Sequence, residues 1–280
     1  MANEIINMHL AFVGCGVMGE SMLAGLVENG IVDAANVSAS HPREERRADL
    51  AAKYGIRAFE SNAEAARAVA GHDNSAVVLC VKPQRLKKVL SDLDGVIHVD
   101  QLVVSIIAGA TISHLAEELG TAKVVRAMPN TPSQIGAGIT AWTCTEAVGE
   151  TERGHVREML AALGKEIFVE TENMIDMATS LSATGPTYIF MVMEALTDAG
   201  VHLGFSRDMS KLLVQETMLG SVKFAMESHK HPAELRNMVT SPGGTSAEAI
   251  YQMEKGGLRT VLSKAVYSAY KRAVDLGHKK

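Results

Sequence analysis

The run Leu10-Ala11-Phe12-Val13, then Gly14-Cys15-Gly16-Val17-Met18-Gly19, then Glu20-Ser21-Met22-Leu23-Ala24-Gly25-Leu26 decides how this chain begins to fold. The first four residues are an apolar, strand-like segment. In the last stretch Met18, Met22 and Leu26 recur every four residues up to Gly30, the spacing of an amphipathic helix with a glycine stop. Between them lie three glycines at the spacing of a nucleotide-binding turn. The first permits the tight turn, the second lets a pyrophosphate approach the backbone, and the third lets the helix close on the strand. The amides that open the helix would receive the anion.

Outward from that unit, the first half keeps alternating short β-rich runs with helical patterns, the signature of βαβ units and a mostly parallel sheet. Strands are predicted at Leu10–Val13, Val37–Ala39, Ala76–Val81, Leu102–Ile107, Val124–Met128, Gly138–Thr143 and Ile167–Val169. Past Glu170 the β-branched runs stop, and helices are predicted at Glu172–Leu181, Thr187–Leu203, Arg207–Ser228, Pro232–Met238, Ala247–Glu254 and Leu258 to about Leu276. Thr184 before Pro186 reads as a cap for the second of these. The expected division is therefore 1–170, α/β and nucleotide-binding, and 171–280, all helix, with the change near Val169–Asn173 and no long linker. Ile189, Phe190, Val192, Met193, Leu196, Leu212, Leu213, Val214, Met218 and Val222 spread around much of the circumference of two helices. So few helices offer too few neighbours within one chain, so a second copy is expected to cover the remainder.

Composition narrows the function. With 280 residues, 47% of them apolar and 21% charged, the chain can bury real cores. Its net charge of −5, from 27 Lys plus Arg and 32 Asp plus Glu, includes no dense basic block, which argues against a nucleic-acid partner. Cys15, Cys80 and Cys144 are too far apart for a CxxC pair and odd in number, so neither a disulfide framework nor a metal site is expected. The ten histidines form no HExxH, and His229 with His231 stand in a polar stretch without other ligands. No signal-peptide pattern opens the sequence and no apolar run reaches about 18 residues, so no membrane partner is expected and the protein is placed in the cytoplasm. A small molecule becomes the expected ligand.

Where a site for NAD would present a carboxylate to the ribose, this chain has Ser38-Ala39-Ser40-His41-Pro42-Arg43, with Arg46 and Arg47 behind. Hydroxyls and a guanidinium suit a 2′-phosphate, so NADPH is favoured, with NADH as the alternative donor. The arginines equally fit an exposed helix face shared with Glu44 and Glu45. Three more segments follow predicted strands, where ligands gather in open α/β sheets: Lys82-Pro83-Gln84, Ala108-Gly109 and Pro129-Asn130-Thr131-Pro132. The prolines hold Asn130 with a donor and an acceptor available to the cofactor, or simply stiffen the connection. In the helical half, Thr240-Ser241-Pro242-Gly243-Gly244-Thr245-Ser246-Ala247-Glu248 pairs Thr245 with Glu248 as a capping box. Two glycines among four hydroxyls at a helix start also make a pocket for a small carboxylate.

Taken in order, these segments resemble the pyrroline-5-carboxylate reductase family. The resemblance is carried by Gly14-x-Gly16-x-x-Gly19, Val81-Lys82-Pro83-Gln84, Ser105-x-x-Ala108-Gly109, Arg126-x-Met128-Pro129-Asn130-Thr131-Pro132, Gly185-Pro186-x-Tyr188 and Val239-Thr240-Ser241-Pro242-Gly243-Gly244-Thr245-Ser246. It implies an α/β Rossmann-type N-terminal domain followed by an all-α C-terminal dimerisation domain, assembled as a homodimer or a multiple of dimers. It also implies reduction of 1-pyrroline-5-carboxylate, a cyclic imino acid, to L-proline by hydride transfer from NADPH. Cofactor contacts are implied at Gly14, Gly16, Met18, Gly19, Ser40, Asn62, Val81, Lys82, Pro83, Ala108 and Gly109, to which the residues themselves add Arg43 and Asn130. The substrate is implied at Ser241, Gly243, Gly244, Thr245 and Ser246, with Glu172 and Thr184 nearby. A protonated imine accepts hydride readily, so alignment suffices, and Ser246 is the hydroxyl expected to orient its nitrogen. Two departures touch this pocket: Thr245-Ser246 stands where the family has two threonines, and Ser182-Ala183-Thr184-Gly185-Pro186-Thr187 where it has Ser-Gly-Ser-Gly-Pro-Ala. The alternatives are a related NADP-dependent imine or hydroxyacid reductase, or a non-catalytic NADP-binding regulatory protein. Gly185–Gly200 lacks the lysine a hydroxyacid enzyme carries there, and the Ser241–Ser246 segment argues against the regulator.

Overall fold

The computed structural model describes residues 4–278. Eight strands make one sheet: β1 (His9–Val13), β2 (Val37–Ser40), β3 (Arg57–Phe59), β4 (Ser75–Leu79), β5 (Leu102–Ser105), β6 (Val124–Met128), β7 (Gly138–Cys144) and β8 (Gly164–Phe168). Their order is β3-β2-β1-β4-β5-β6-β7-β8, and every pairing is parallel except β6 with β7. That reversal follows from chain length: the Pro129–Ala137 connection is shorter than the dozen or so residues a parallel crossover needs. β3, with its exposed Arg57, is too short and polar to be read from periodicity. β4 and β5 end two residues earlier than predicted, leaving Cys80-Val81 and Ile106-Ile107 in the loops that follow.

Both faces of the sheet are covered. Leu10 and Phe12 of β1 join Val78, Val104 and Trp142 beneath α1 (Val17–Glu28) and α6 (Glu150–Ala161), through Met22, Leu26 and Met159. Ala11 and Val13, on the opposite face by the two-residue period of a strand, pack with Val77, Leu79 and Val103 against α4 (Leu86–Asp92) and α5 (Ile112–Leu119). Strands buried on both sides read as continuous apolar runs, which is why the central ones were visible in the sequence. Two short helices complete this region, α2 (Glu44–Tyr54) and α3 (Asn62–Arg67).

The helical region contains α7 (Asn173–Ala178), a π-helical turn at Thr179–Ala183, α8 (Gly185–His202), α9 (Arg207–Ser228), α10 (Pro232–Met238), α11 (Thr245–Lys255) and α12 (Leu258–His278). Compactness divides the chain differently from the expected 1–170 and 171–280. One unit runs through Thr184 and takes up the chain again from Ala269, and the other is Gly185–Ser268. The residues between Glu170 and Thr184 go with the sheet for a plain reason: Ile175 is fully buried beside Met128, Ala141 and Val169. In the second unit α8 and α9 approach closely at Gly200, where a Cβ would stand 2.1 Å from Ser210 Oγ, which itself donates to the Thr197 carbonyl at 2.7 Å.

Candidate active site

Each glycine of the β1–α1 turn has a separate structural reason. Gly14 has φ +74°, and a Cβ there would lie 2.0 Å from Val81 Cγ1. At Gly19 a Cβ would meet Cys80 Sγ at 2.6 Å, so only glycine lets α1 close on the sheet. Gly16 is different: its nearest neighbour to a Cβ is the Gly14 carbonyl at 3.9 Å. The space before it is open, a cradle into which a pyrophosphate fits and a side chain would project. Cys15 lies in this turn but is no nucleophile, because burial, reinforced by Glu20 and opposed by Arg46, pushes its thiol up to about 12. Burial also pushes the Cys80 thiol well up. Met18 is half-buried in the first turn of α1.

The end of β2 is strapped to this turn. Gly14 N–H donates to Ser40 Oγ at 2.9 Å and Cys15 N–H to the Ser40 carbonyl at 2.8 Å. Ser40 Oγ in turn donates to Asn62 Oδ1 at 2.7 Å, and Asn62 Nδ2 to Asp92 Oδ2 at 2.9 Å. The hydroxyls of Ser38 and Ser40, read from the sequence as facing a 2′-phosphate, are thus both engaged inside the chain. Ser38 is fully buried and donates to the Ala65 carbonyl at 2.8 Å. Of the three arginines expected there, Arg46 is paired with Glu20, and Arg47 with Glu60 at 3.3 Å. Burial pushes the Glu20 carboxyl up, but Arg46, Tyr54 and Lys53 outweigh it and hold it below the usual range. Arg43, at the N-cap of α2, is exposed and has no ion pair among the described residues. It is the arginine left for an anion.

The remaining cofactor candidates sit at the same sheet end. Val81 and Pro83 are half-buried and Lys82 exposed after β4, and Ala108 with Gly109 form the turn after β5. Gly109 has φ +76°, and a Cβ on it would come within 2.7 Å of Leu276 Cβ, so the last turn of α12 lies against this loop. Asn130 differs from its reading: its Oδ1 accepts the Ile139 N–H at 3.0 Å, fixing the start of β7, so only its amide nitrogen remains for a ligand.

Glu172 and Thr184 also have work inside the first unit. Arg126, with 1% of its side chain accessible on β6, donates to Glu172 Oε1 at 2.9 Å and Asp176 Oδ1 at 2.6 Å. Glu172 Oε1 additionally accepts the Ile112 N–H at 2.8 Å. This ion cluster around the buried Arg126 fastens α7 and the start of α5 to the sheet; sequence reasoning missed it because its members lie about fifty positions apart. Thr184 does not cap α8, because its backbone is already helical and its hydroxyl donates to the Thr179 carbonyl at 2.8 Å. Its N–H reaches the same carbonyl at 2.9 Å, which closes the π turn.

In the second unit, Gly243 takes φ +69° and Gly244 accommodates Ser241, whose Oγ would be 2.5 Å from a Cβ. Gly244, extended at φ −81° and ψ 166°, is the N-cap of α11. The capping box expected from Thr245 and Glu248 is therefore absent: Thr245 is the first helical residue, and the Glu248 carboxylate accepts from Gln252 Nε2 at 2.9 Å instead. Ala247 and Glu248 N–H both donate to the Gly244 carbonyl, whereas the amides of Thr245 and Ser246 and both their hydroxyls have no acceptor or donor partner among the described residues. Two amides and two hydroxyls thus stand unpartnered at the start of an eleven-residue helix, an arrangement of donors chemically able to receive an anion.

Comparison with known proteins finds matches in both parts of the chain. Residues 172–276 match the family model described as pyrroline-5-carboxylate reductase dimerisation, and residues 9–109 that described as NADP oxidoreductase, coenzyme F420-dependent. The chain is 38% identical to the pyrroline-5-carboxylate reductase of Pseudomonas aeruginosa over 95% of this chain and 96% of that one. It is 36% identical to that of Methanosarcina acetivorans over 98% and 99%. The solved pyrroline-5-carboxylate reductase of Coxiella burnetii superposes with a TM-score of 0.86 at 34% identity, covering 97% of this chain and 99% of that one. That of Plasmodium falciparum, solved with NADP bound, gives 0.87 at 29% identity over 98% and 99%. Identity well above 30% along nearly the full length of both chains places this chain in the pyrroline-5-carboxylate reductase family.

Proposed function

We propose that the chain reduces 1-pyrroline-5-carboxylate to L-proline, the last step of proline synthesis, with NADPH as reductant. The nest at Gly243–Ser246 carries this reading, since it offers unpartnered amides and hydroxyls to a carboxylate in a chain whose other unit has a dinucleotide cradle at Gly16. When bound, NADPH supplies the hydride. The turn Gly14–Gly19 receives the pyrophosphate, Arg43 the 2′-phosphate, and the loops at Val81–Pro83 and Ala108–Gly109 flank the rest. The amides of Thr245 and Ser246 would hold the substrate carboxylate, and the Ser246 hydroxyl would orient the ring nitrogen of the protonated imine, whose C=N bond is the one to be reduced to an amine. Orientation and electrostatic fit are all that the step asks of the protein. Glu172 acts through Arg126, and Thr184 through the π turn that precedes α8.

Residues 1–170 serve the cofactor, and 171–280 serve the substrate and self-association. None of the described residues of α8 is buried, and Phe190, Leu212 and Val222 stay more than half exposed, the state of a face awaiting a second copy. A homodimer or multiple of dimers follows. Among the described residues no helix is long and apolar enough to cross a membrane and no group of His, Cys, Asp and Glu suits a metal. The proposal places the enzyme in the cytoplasm with neither nucleic acid nor membrane as partner. NADPH oxidation with pyrroline-5-carboxylate, run beside a six-membered cyclic imino acid, tests the reading. Faster turnover of the five-membered ring supports it, and no turnover of either ring overturns it.

A further inference from the structure

Four groups able to carry positive charge, His41, Arg43, Arg46 and Arg47, gather on the turn that leaves β2. Glu20 takes Arg46, with Asp49 a further 3.9 Å partner. Arg47 is turned onto the backbone: its Nη1 donates to the carbonyls of His41 and Pro42, each at 3.0 Å, while Nη2 lies 3.3 Å from Glu60 Oε2. His41 Nδ1 accepts the Arg43 N–H at 3.2 Å, and the His41 N–H is tied to the Phe59 carbonyl at 3.0 Å. Two consecutive peptide planes are thereby fixed by one guanidinium, and the second of them is held again at its Arg43 amide by one imidazole, which leaves exposed Arg43 on a rigid support.

We propose that Arg47 and His41 are positioning residues that hold the His41-Pro42-Arg43 turn in the shape that selects NADPH over NADH. The proposal rests on the reading that Arg43 meets the 2′-phosphate. A phosphate is discriminated by a guanidinium held in place before binding, because ordering a loose turn would consume much of the attraction. The planar guanidinium serves both carbonyls from Nη1 while Nη2 faces Glu60, and a lysine, with all its donors on one compact nitrogen at the end of a flexible stem, cannot hold the three in that geometry. Burial, with Arg43, Arg46 and Arg47 around the ring, holds His41 below its usual pKa, so Nδ1 remains an acceptor near neutral pH.

The test compares kcat/KM for NADPH and NADH in the purified full chain. Arg47→Lys, which keeps the charge and loses the fork, should raise the NADPH KM roughly tenfold, as expected when charge-assisted hydrogen bonds are lost, with kcat within about twofold and the NADH KM within about threefold. His41→Ala should lower the NADPH-to-NADH ratio likewise. His41→Asn, whose Oδ1 can accept the Arg43 N–H, should restore most of it. A wild-type ratio in both Arg47→Lys and His41→Ala, or an equal loss with both cofactors, overturns the proposal. If Arg47→Lys fails to fold, the two His41 variants decide alone. Arg43→Met separates the premise from the proposal: an unchanged ratio there defeats the 2′-phosphate reading and everything built on it. A lowered ratio in Arg43→Met with none in the other variants defeats the positioning roles only.

Discussion

Leu10, Phe12, Met22, Leu26 and Trp142 around the sheet are fully buried, whereas Phe190, Leu212, Val222 and Phe224 on α8 and α9 are between 52% and 60% exposed. The sheet unit closes on itself because helices cover both of its faces. The helical unit holds much the same kind of side chain but offers α8 and α9 few neighbours, so its apolar surface stays in water unless another copy covers it. At about 25 cal/mol per Å² of apolar surface, leaving such a face uncovered forfeits a large part of what the helices can gain from burial. The difference teaches that the core of one unit closes within a single chain, whereas the other keeps its apolar helix faces open for self-association.

The largest effect should come from breaking the helical side of that comparison. Leu212→Glu with Val222→Glu should remove the dimer and with it the activity, each charge costing about 2–4 kcal/mol of association if the face is an interface centre. Light scattering is the measurement, and Val99→Glu, at an exposed apolar position of the sheet unit, should leave assembly unchanged. A stable, active monomer from wild-type protein would dispose of the interface. Within the sheet unit, Arg126→Met strands the partly exposed Glu172 and Asp176 and should cost about 1–3 kcal/mol in urea unfolding, the range for leaving polar partners unsatisfied. A loss below about 1 kcal/mol would show that the cluster does not secure α7.

An effect of similar size is expected at the nest. Ser246→Ala should lower kcat/KM by about 1–3 kcal/mol of transition-state stabilisation with little change in melting temperature. Thr245→Ala should change stability by under about 0.5 kcal/mol, since Thr245 is the first helical residue and not the cap. A melting temperature that falls with Ser246→Ala while activity persists would reverse these roles. The smallest effect concerns pH. Burial, with His72 and Arg57, lowers the pKa of His9, and burial with three arginines lowers that of His41. The unfolded chain therefore binds more protons than the folded one once pH falls below 6.5, and stability drops as pH descends from there towards the folded values. Urea midpoints at pH near 7.5 and 5.5 should show this loss, and His9→Asn with His41→Asn should flatten it. Glu20, held below its usual value of 4.5, adds its own loss only at more acid pH.

Much of the fold was legible because it depends on local pattern. The β1–α1 turn, the central strands and the α9 and α10 bounds followed from periodicity, glycine spacing and a proline at a helix start. β3 escaped because three residues carry too little pattern, and the Thr245 capping box was misplaced because Ser/Thr-x-x-Glu also fits a register shifted by one residue. Only the backbone dihedrals at Gly244 separate the two.

The sequence by itself determined that a glycine-rich βα turn lies near the start of the first sheet unit, that a mostly parallel sheet gives way to helices, and that a Gly-Gly-Thr-Ser segment stands at a helix start. These features lie within one turn or one strand, where neighbouring residues dictate conformation. Tertiary structure alone decided which polar groups are free. Ser40 is claimed by Gly14 and Asn62, Arg46 by Glu20, Arg47 by the His41 and Pro42 carbonyls, and Asn130 by Ile139, which leaves Arg43 at one site and the amides of Thr245 and Ser246 at the other. The physical reason is that a buried polar group must find a partner, and most of these partners come from parts of the chain that only folding brings into reach.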